Sequence, residues 1–212
     1  MASLCGLNIV ALTDHNSCKN CPAFFAAAKQ YGIIPVAGME LTTSEDIHVV
    51  CLFENLSDAL AFDEFVDDNR VKIKNRPEIF GEQTVLDEND QPVCMVDNLL
   101  INATNISVED VCEVVSRFGG ICYPAHIDRD ANGIIAVLGT LPDCGFKNFE
   151  LHDGSRIDEF SKEYAIPIDR FIVSSDAHYL TDMRDKENFI EIDDEPYSSA
   201  LVRRRLFEYF KR

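Results

Sequence analysis

LNIVALTDHN, residues 7–16, is a short apolar run that ends abruptly on an acid and an imidazole. Asn8 to Leu12 has the composition of a strand buried on both faces, as in a parallel sheet. Asp14 and His15 then fall at the carboxyl end of that strand, where α/β folds gather their functional groups. One such end proves little, but the chain repeats the arrangement several times.

Working outward, Pro22–Tyr31 reads as a helix closed by Gly32, followed by strands over Ile33–Leu41 and Ile47–Phe53. Leu56, Leu60, Phe62, Phe65, Val66 and Ile73 share one face of a helix expected over Leu56–Lys74. Residues 77–105 break the rhythm. Within them, Thr84–Leu86 and Val93–Val96 flank a turn-rich segment and read as an inserted β-hairpin. Beyond it come a helix from Ser107 to Phe118 and a strand over Ile121–Ala125 ending at His126. A short helix over Gly133–Leu138, a strand over Phe146–Leu151 ending at His152–Asp153 and a helix over Ser155–Tyr164 follow. The pattern closes with a strand over Phe171–Ser175 ending at Asp176–Ala177–His178, a short strand over Phe189–Ile192 and a helix over Ser198–Lys211. Strands alternating with helices predict a parallel sheet or barrel, and so many polar strand ends favour a TIM-like barrel. Residues 1–212 read as one domain.

The chain has 212 residues, 46% of them hydrophobic, enough for a sizeable core, and no apolar run of membrane-spanning length. The N-terminus lacks the basic start of a signal peptide, and the eight cysteines are scattered. A cytoplasmic protein with reduced thiols is the expectation. A formal net charge of −18 argues against an extended nucleic-acid surface, though not against a phosphorylated substrate whose charge is met by metal ions. The basic cluster Arg203, Arg204, Arg205, Lys211 and Arg212 reads as a solvated helix face. Cys18 and Cys21 form a C-x-x-C, but no second pair completes a zinc site.

A single histidine is most often a hydrogen-bonded core residue. Here four of the five stand at or near strand ends beside an acid or in a candidate site: His15, His48, His126 and His178. Imidazole and carboxylate are the ligands of Zn²⁺, Mn²⁺ and Fe, so the set points to metal binding.

The segments ALTDHN, GMEL followed by IHVVCLF, PAHIDR and SSDAH occur in that order and resemble the motifs of the polymerase and histidinol phosphatase (PHP) family. The resemblance runs from about Leu7 to His178. It implies a distorted (β/α)7 barrel and a site of up to three divalent ions (Mn, Zn or Fe) that hydrolyses phosphoesters. By that resemblance His15, Glu40, His48, His126, Asp176 and His178 are metal ligands, with Glu40 bridging two ions and His48 and His126 holding an outer one. Arg129 resembles a phosphate-binding arginine, and Arg129 and His126 are the candidate catalytic residues. His152–Asp153 matches no ligand of the family; a substrate contact is its functional reading.

The departure from the family is at the start. PHP chains open with a strand carrying His-x-His, and this sequence contains none. MASLCGL resembles the end of the helix that would follow, so a strand-helix unit of roughly 25 to 30 residues is expected to be missing. The expected function is metal-dependent hydrolysis of a phosphomonoester or phosphodiester in a small metabolite, nucleotide or oligonucleotide end. Two alternatives stand beside it: a catalytically impaired metal- or nucleotide-binding relative, and an amidohydrolase-like C–N hydrolase. Under-coordination of an inner ion predicts weak activity or none, and a homo-oligomer is one way to cover an open barrel edge.

Overall fold

The structure is a computed structural model and describes residues 1–212. In chain order the elements are β1 (Ile9–Leu12), α1 (Cys21–Gln30), β2 (Ile34–Thr42), β3 (His48–Phe53), α2 (Leu56–Asp68), α3 (Pro77–Phe80), β4 (Thr84–Leu86), β5 (Pro92–Met95), α4 (Val111–Arg117), β6 (Ile121–Pro124), α5 (Ile134–Leu138), β7 (Phe149–Leu151), α6 (Ile157–Tyr164), β8 (Phe171–Val173) and α7 (Ser199–Lys211). The fold is mixed α/β.

The expected distorted (β/α)7 barrel of parallel strands is not what the ladders form, and no closed sheet is present. Four strands pair in the order β1-β2-β3-β6, and β7-β8 is a separate pair. β1 and β2 are parallel, but β3 runs antiparallel to both β2 and β6. The reason is local. Thr43, Asp46 and Ile47 bridge β2 and β3 in a tight connection, with Thr43 N–H donating to Ile47 O at 2.9 Å. A parallel neighbour would need a long crossover instead. The segment after β6 reaches β7 through Ile127 N–H donating to Glu150 O at 2.9 Å. β1 and β8 do not pair, and both line one cavity of about 840 Å³.

β2 is buried along its whole length, which explains its nearly continuous apolar sequence. Its alternate residues serve two cores. Ala37, Met39 and Leu41 join Val49, Cys51 and Phe53 of β3 under Phe62 and Val66 of α2 and Val111 and Val115 of α4. On the opposite face, Val36, Val50, Leu52 and Tyr123 pack against Leu206, Phe207 and Phe210 of α7. At about 25 cal/mol per Å² of apolar surface, each fully buried Phe contributes on the order of 2–3 kcal/mol, so α7 is anchored by its apolar stripe. Gly38 lets these layers approach: a Cβ there would meet Cys51 O at 2.5 Å.

Several elements are shorter than the sequence expectation: the helix expected from Ser107 begins at Val111, and the strands expected over Phe146–Leu151 and Phe171–Ser175 span Phe149–Leu151 and Phe171–Val173. The helix expected to Lys74 ends at Asp68, because Arg70 bridges Thr104 and Lys74 bridges Asn98, which draws the chain out of the helix. Phe189–Ile192 is not a strand; Phe189 is exposed and no neighbouring edge pairs with it. Thr84–Leu86 and Pro92–Met95 do pair antiparallel. All eight cysteines are unpaired thiols, and Cys18 and Cys21 are fully buried. No helix is long and apolar enough to cross a membrane.

Candidate metal centre

The antiparallel β3 brings its first residue to the rim where β1 and β2 end. Thr42 is the register partner of His48, and Glu40 that of Val50. His48 and Val50 share a face by the two-residue period of a strand, so the His48 ring lies beside Glu40. His15 comes from the extension of β1, His126 from just beyond β6, and Asp176 and His178 from just beyond β8.

Three of the six sequence candidates, His15, His48 and His126, surround a fourth, the Glu40 carboxylate. His15 Nδ1 is 3.1 Å from Glu40 Oε2; His48 Nδ1 and His126 Nε2 are 3.2 and 3.4 Å from Glu40 Oε1. The His15 and His178 rings lie 5.6 Å apart, and the His48 and His126 rings 5.5 Å. Asp176 Oδ1 is 3.7 Å from His178 Nδ1, and its Oδ2 is ion-paired with Arg129. His126 and Asp176 both have left-handed backbones, at φ 31° and 47°. Such conformations are costly for residues with a Cβ and turn each chain sharply at the strand end.

Burial alone would raise the Glu40 carboxyl, but the surrounding His126, His48 and His15 outweigh it and hold the group well below the usual carboxylate range. Burial pushes the His15 imidazole down despite Glu40. His126 also pays for burial, yet Glu40 lifts it above the ordinary value. Glu150, on β7, was not singled out in the sequence, where an acid inside FEL reads as one residue of a strand. Its carboxyl is buried and pushed up to about 7, with hydrogen bonds from Ser174 and the His126 amide opposing the shift only in part.

The donor set fits a divalent ion. Ligand atoms of His15, Glu40 and His48 lie within 4.8 Å of one another. The buried Nδ1 atoms of His15 and His126 have no hydrogen-bond partner, although His15 Nδ1 is close to a carboxylate oxygen. Buried polar atoms left this way are costly, and ion coordination satisfies them.

The rest of the TDHN motif is scaffold. Asn16 Nδ2 donates to Leu100 O and Asn102 O at 2.7 and 3.0 Å, while its Oδ1 accepts from Thr42 N–H at 2.9 Å. Asp63 accepts from Ser17, the Cys18 amide and Lys19, fixing the loop from α2. Burial raises the Asp14 carboxyl, against the pull of Asn20 and His15.

Arg129 lies beside Asp176 and His152. Arg184, also not singled out in the sequence, donates to His152 O at 2.7 Å. Its signal was weak, being one arginine in a segment without periodicity.

The PHP domain family model matches residues 1–135, which include His15, Glu40, His48, His126 and Arg129. No curated protein matches the chain significantly. Among solved structures, the chain is similar to a protein of Bifidobacterium adolescentis assigned as a metal-dependent phosphoesterase, at 16% identity and TM-score 0.55 over 97% of this chain and 87% of that one. It is also similar to the lesion-specific endonuclease Q of Pyrococcus furiosus, at 19% identity and TM-score 0.52 over 84% of this chain. The chain spans about 42% of the endonuclease Q chain. At these identities the two likenesses speak to the fold.

Proposed function

The chain belongs to the PHP domain family of metal-dependent phosphoesterases, and on that premise we propose that it hydrolyses a phosphomonoester or phosphodiester of a small metabolite, nucleotide or oligonucleotide end. The observation that carries this reading is the Glu40 carboxylate with an imidazole on each side: His15 at Oε2, His48 and His126 at Oε1. Such a two-sided carboxylate suits a bridging ligand.

In this reading His15, Glu40, His48, His126, Asp176 and His178 hold divalent ions of the Mn, Zn or Fe class. When bound, such ions supply Lewis acidity and neutralise phosphate charge. The chain's own residues do the rest. Arg129, oriented by Asp176, holds a phosphate oxygen through its planar fork. His126, fixed by the Glu150 carboxylate on its amide, keeps its ring turned to the site. The strongly acidic composition supports a small substrate over an extended duplex, while the endonuclease Q likeness keeps a nucleic-acid end within range.

The test is phosphate release from a panel of nucleotides, sugar phosphates and short oligonucleotides with added Mn²⁺, run beside amide substrates. Metal-dependent phosphate release that Glu40→Gln abolishes supports the reading. Amide hydrolysis alone, or phosphate release indifferent to both metal and Glu40, refutes it.

A further inference from the structure

Two of the eight thiols stand apart from the rest. Cys112 on α4 and Cys122 on β6 are both partly exposed, and the Cys122 thiol donates to Cys112 Sγ at 3.5 Å. The two sulfurs are in van der Waals contact. A disulfide bond of about 2.05 Å needs them only about 1.5 Å closer, within reach of a side-chain rotation. The C-x-x-C that the sequence offers is the contrasting case. Cys18 and Cys21 are 0% and 1% exposed, and both thiols donate to Gly38 O, at 3.2 and 3.6 Å, so an oxidant does not reach them. Cys51, the register partner of Cys122, is likewise enclosed, and Cys94 stands away on the inserted hairpin.

The fold holds the pair in place. Val111 and Val115, on either side of Cys112 along α4, are fully buried. Gly119 and Gly120 join α4 to β6 in a tight turn, where Gly119 N–H donates to Ser116 O at 2.9 Å and Gly120 N–H to Val115 O at 3.2 Å. A Cβ at Gly120 would meet the Phe53 ring at 2.6 Å and Val115 at 2.8 Å, so helix and strand do not slide past one another. The two thiols are also unequal. The hydrogen bond from Cys122 draws the Cys112 thiol below its ordinary range, against the effect of burial, and the thiolate is the form that attacks an oxidant.

We propose that Cys112 and Cys122 are a reversible dithiol–disulfide pair, oxidised by a peroxide and reset by a small dithiol. Cys112 attacks a peroxide oxygen; the S–O bond forms, the O–O bond breaks, and hydrogen peroxide leaves one oxygen as water and the other as a sulfenic acid. Cys122 then attacks that sulfur. The S–S bond forms, the S–O bond breaks, and the hydroxyl departs with the Cys122 proton as a second water. The peroxide gains two electrons, one from each thiol sulfur. The bridge closes a short loop and ties α4 to the strand whose end carries His126, four residues beyond Cys122.

Peroxide treatment of the full, pre-reduced chain, followed by alkylation and peptide mapping by mass spectrometry, reads the bond directly. A cross-linked peptide joining Cys112 to Cys122 is expected, lost on adding dithiothreitol and absent from Cys122→Ser, while Cys18→Ser retains it. The bridged chain should melt several degrees above the reduced one, and peroxide should give Cys122→Ser no such rise. Cys144 is the competing partner, because a Cβ on its neighbour Gly145 would lie 3.9 Å from Cys112 Cβ. A bridge from Cys112 to Cys144 overturns the pairing, as does a bridge between two chains or a sulfinic acid at Cys112 with Cys122 still free. A Cys112–Cys122 bridge that leaves the melting temperature unchanged overturns the anchoring of β6.

Discussion

His15 and Glu40 are register partners across the parallel extension of β1 and β2. Asn16 N–H donates to Glu40 O at 2.9 Å, and Glu40 N–H donates to Asp14 O at 3.1 Å. The backbone ladder thus sets the two side chains against each other, and the contact between His15 Nδ1 and Glu40 Oε2, 3.1 Å, follows from the register. Glu40→Gln should therefore keep its place while losing its charge. Its Mn²⁺ affinity, measured by calorimetric titration, should fall at least about a hundredfold, a loss beyond that of a typical supporting residue. Equal affinity in parent and variant would remove Glu40 from the ligand set.

Arg129→Lys keeps a cation beside Asp176 but removes the planar fork. A drop of about ten- to a hundredfold in kcat/KM for phosphoesters is expected, with Mn²⁺ affinity little changed. A variant that turns over like the parent would show that Arg129 only balances Asp176.

Gly133 supports the loop that carries His126 and Arg129. A Cβ at this position would meet Arg129 O at 2.6 Å and His126 O at 3.2 Å. Both contacts are main-chain atoms and cannot swing aside. Gly133→Ala should cost about 1–3 kcal/mol, lowering the melting temperature by several degrees, and should weaken metal binding as well. Loss of stability without any change at the metal site would confine Gly133 to packing.

Glu150 makes stability depend on pH in the metal-free protein. Its folded-state value of about 7 lies above the ordinary 4.5 because burial disfavours the charged form. Between those values the folded protein keeps a proton that the unfolded chain has released. Stability is therefore fully present below about 4.5, falls as pH rises towards about 7, and is level above that. At about 1.4 kcal/mol per unit the loss is on the order of 3 kcal/mol. Chemical denaturation of metal-free Glu150→Gln at a series of pH values should show this slope flattened; a slope identical to the parent's would assign it to another group.

The sequence by itself determined the elements that carry the site. A ligand-type residue at the end of an apolar run is legible because strand composition and its abrupt stop are local properties. That, together with the resemblance to the PHP motifs, is why His15, Glu40, His48, His126, Asp176 and His178 could be named as candidates, and why Thr84–Leu86 and Val93–Val96 were expected to pair across their Asp- and Asn-rich turn. Tertiary structure decided the rest. An apolar run reads alike whether its neighbour is parallel or antiparallel, so the reversed β3 was hidden. Glu150 and Arg184 were hidden for the same reason: neither has a distinctive sequence neighbourhood. Glu150 becomes notable through burial beneath the His126 amide, and Arg184 through the His152 ring it shares with Arg129. The long-range proximity of charges fixes their roles, and proximity of that kind is a property of the folded chain alone.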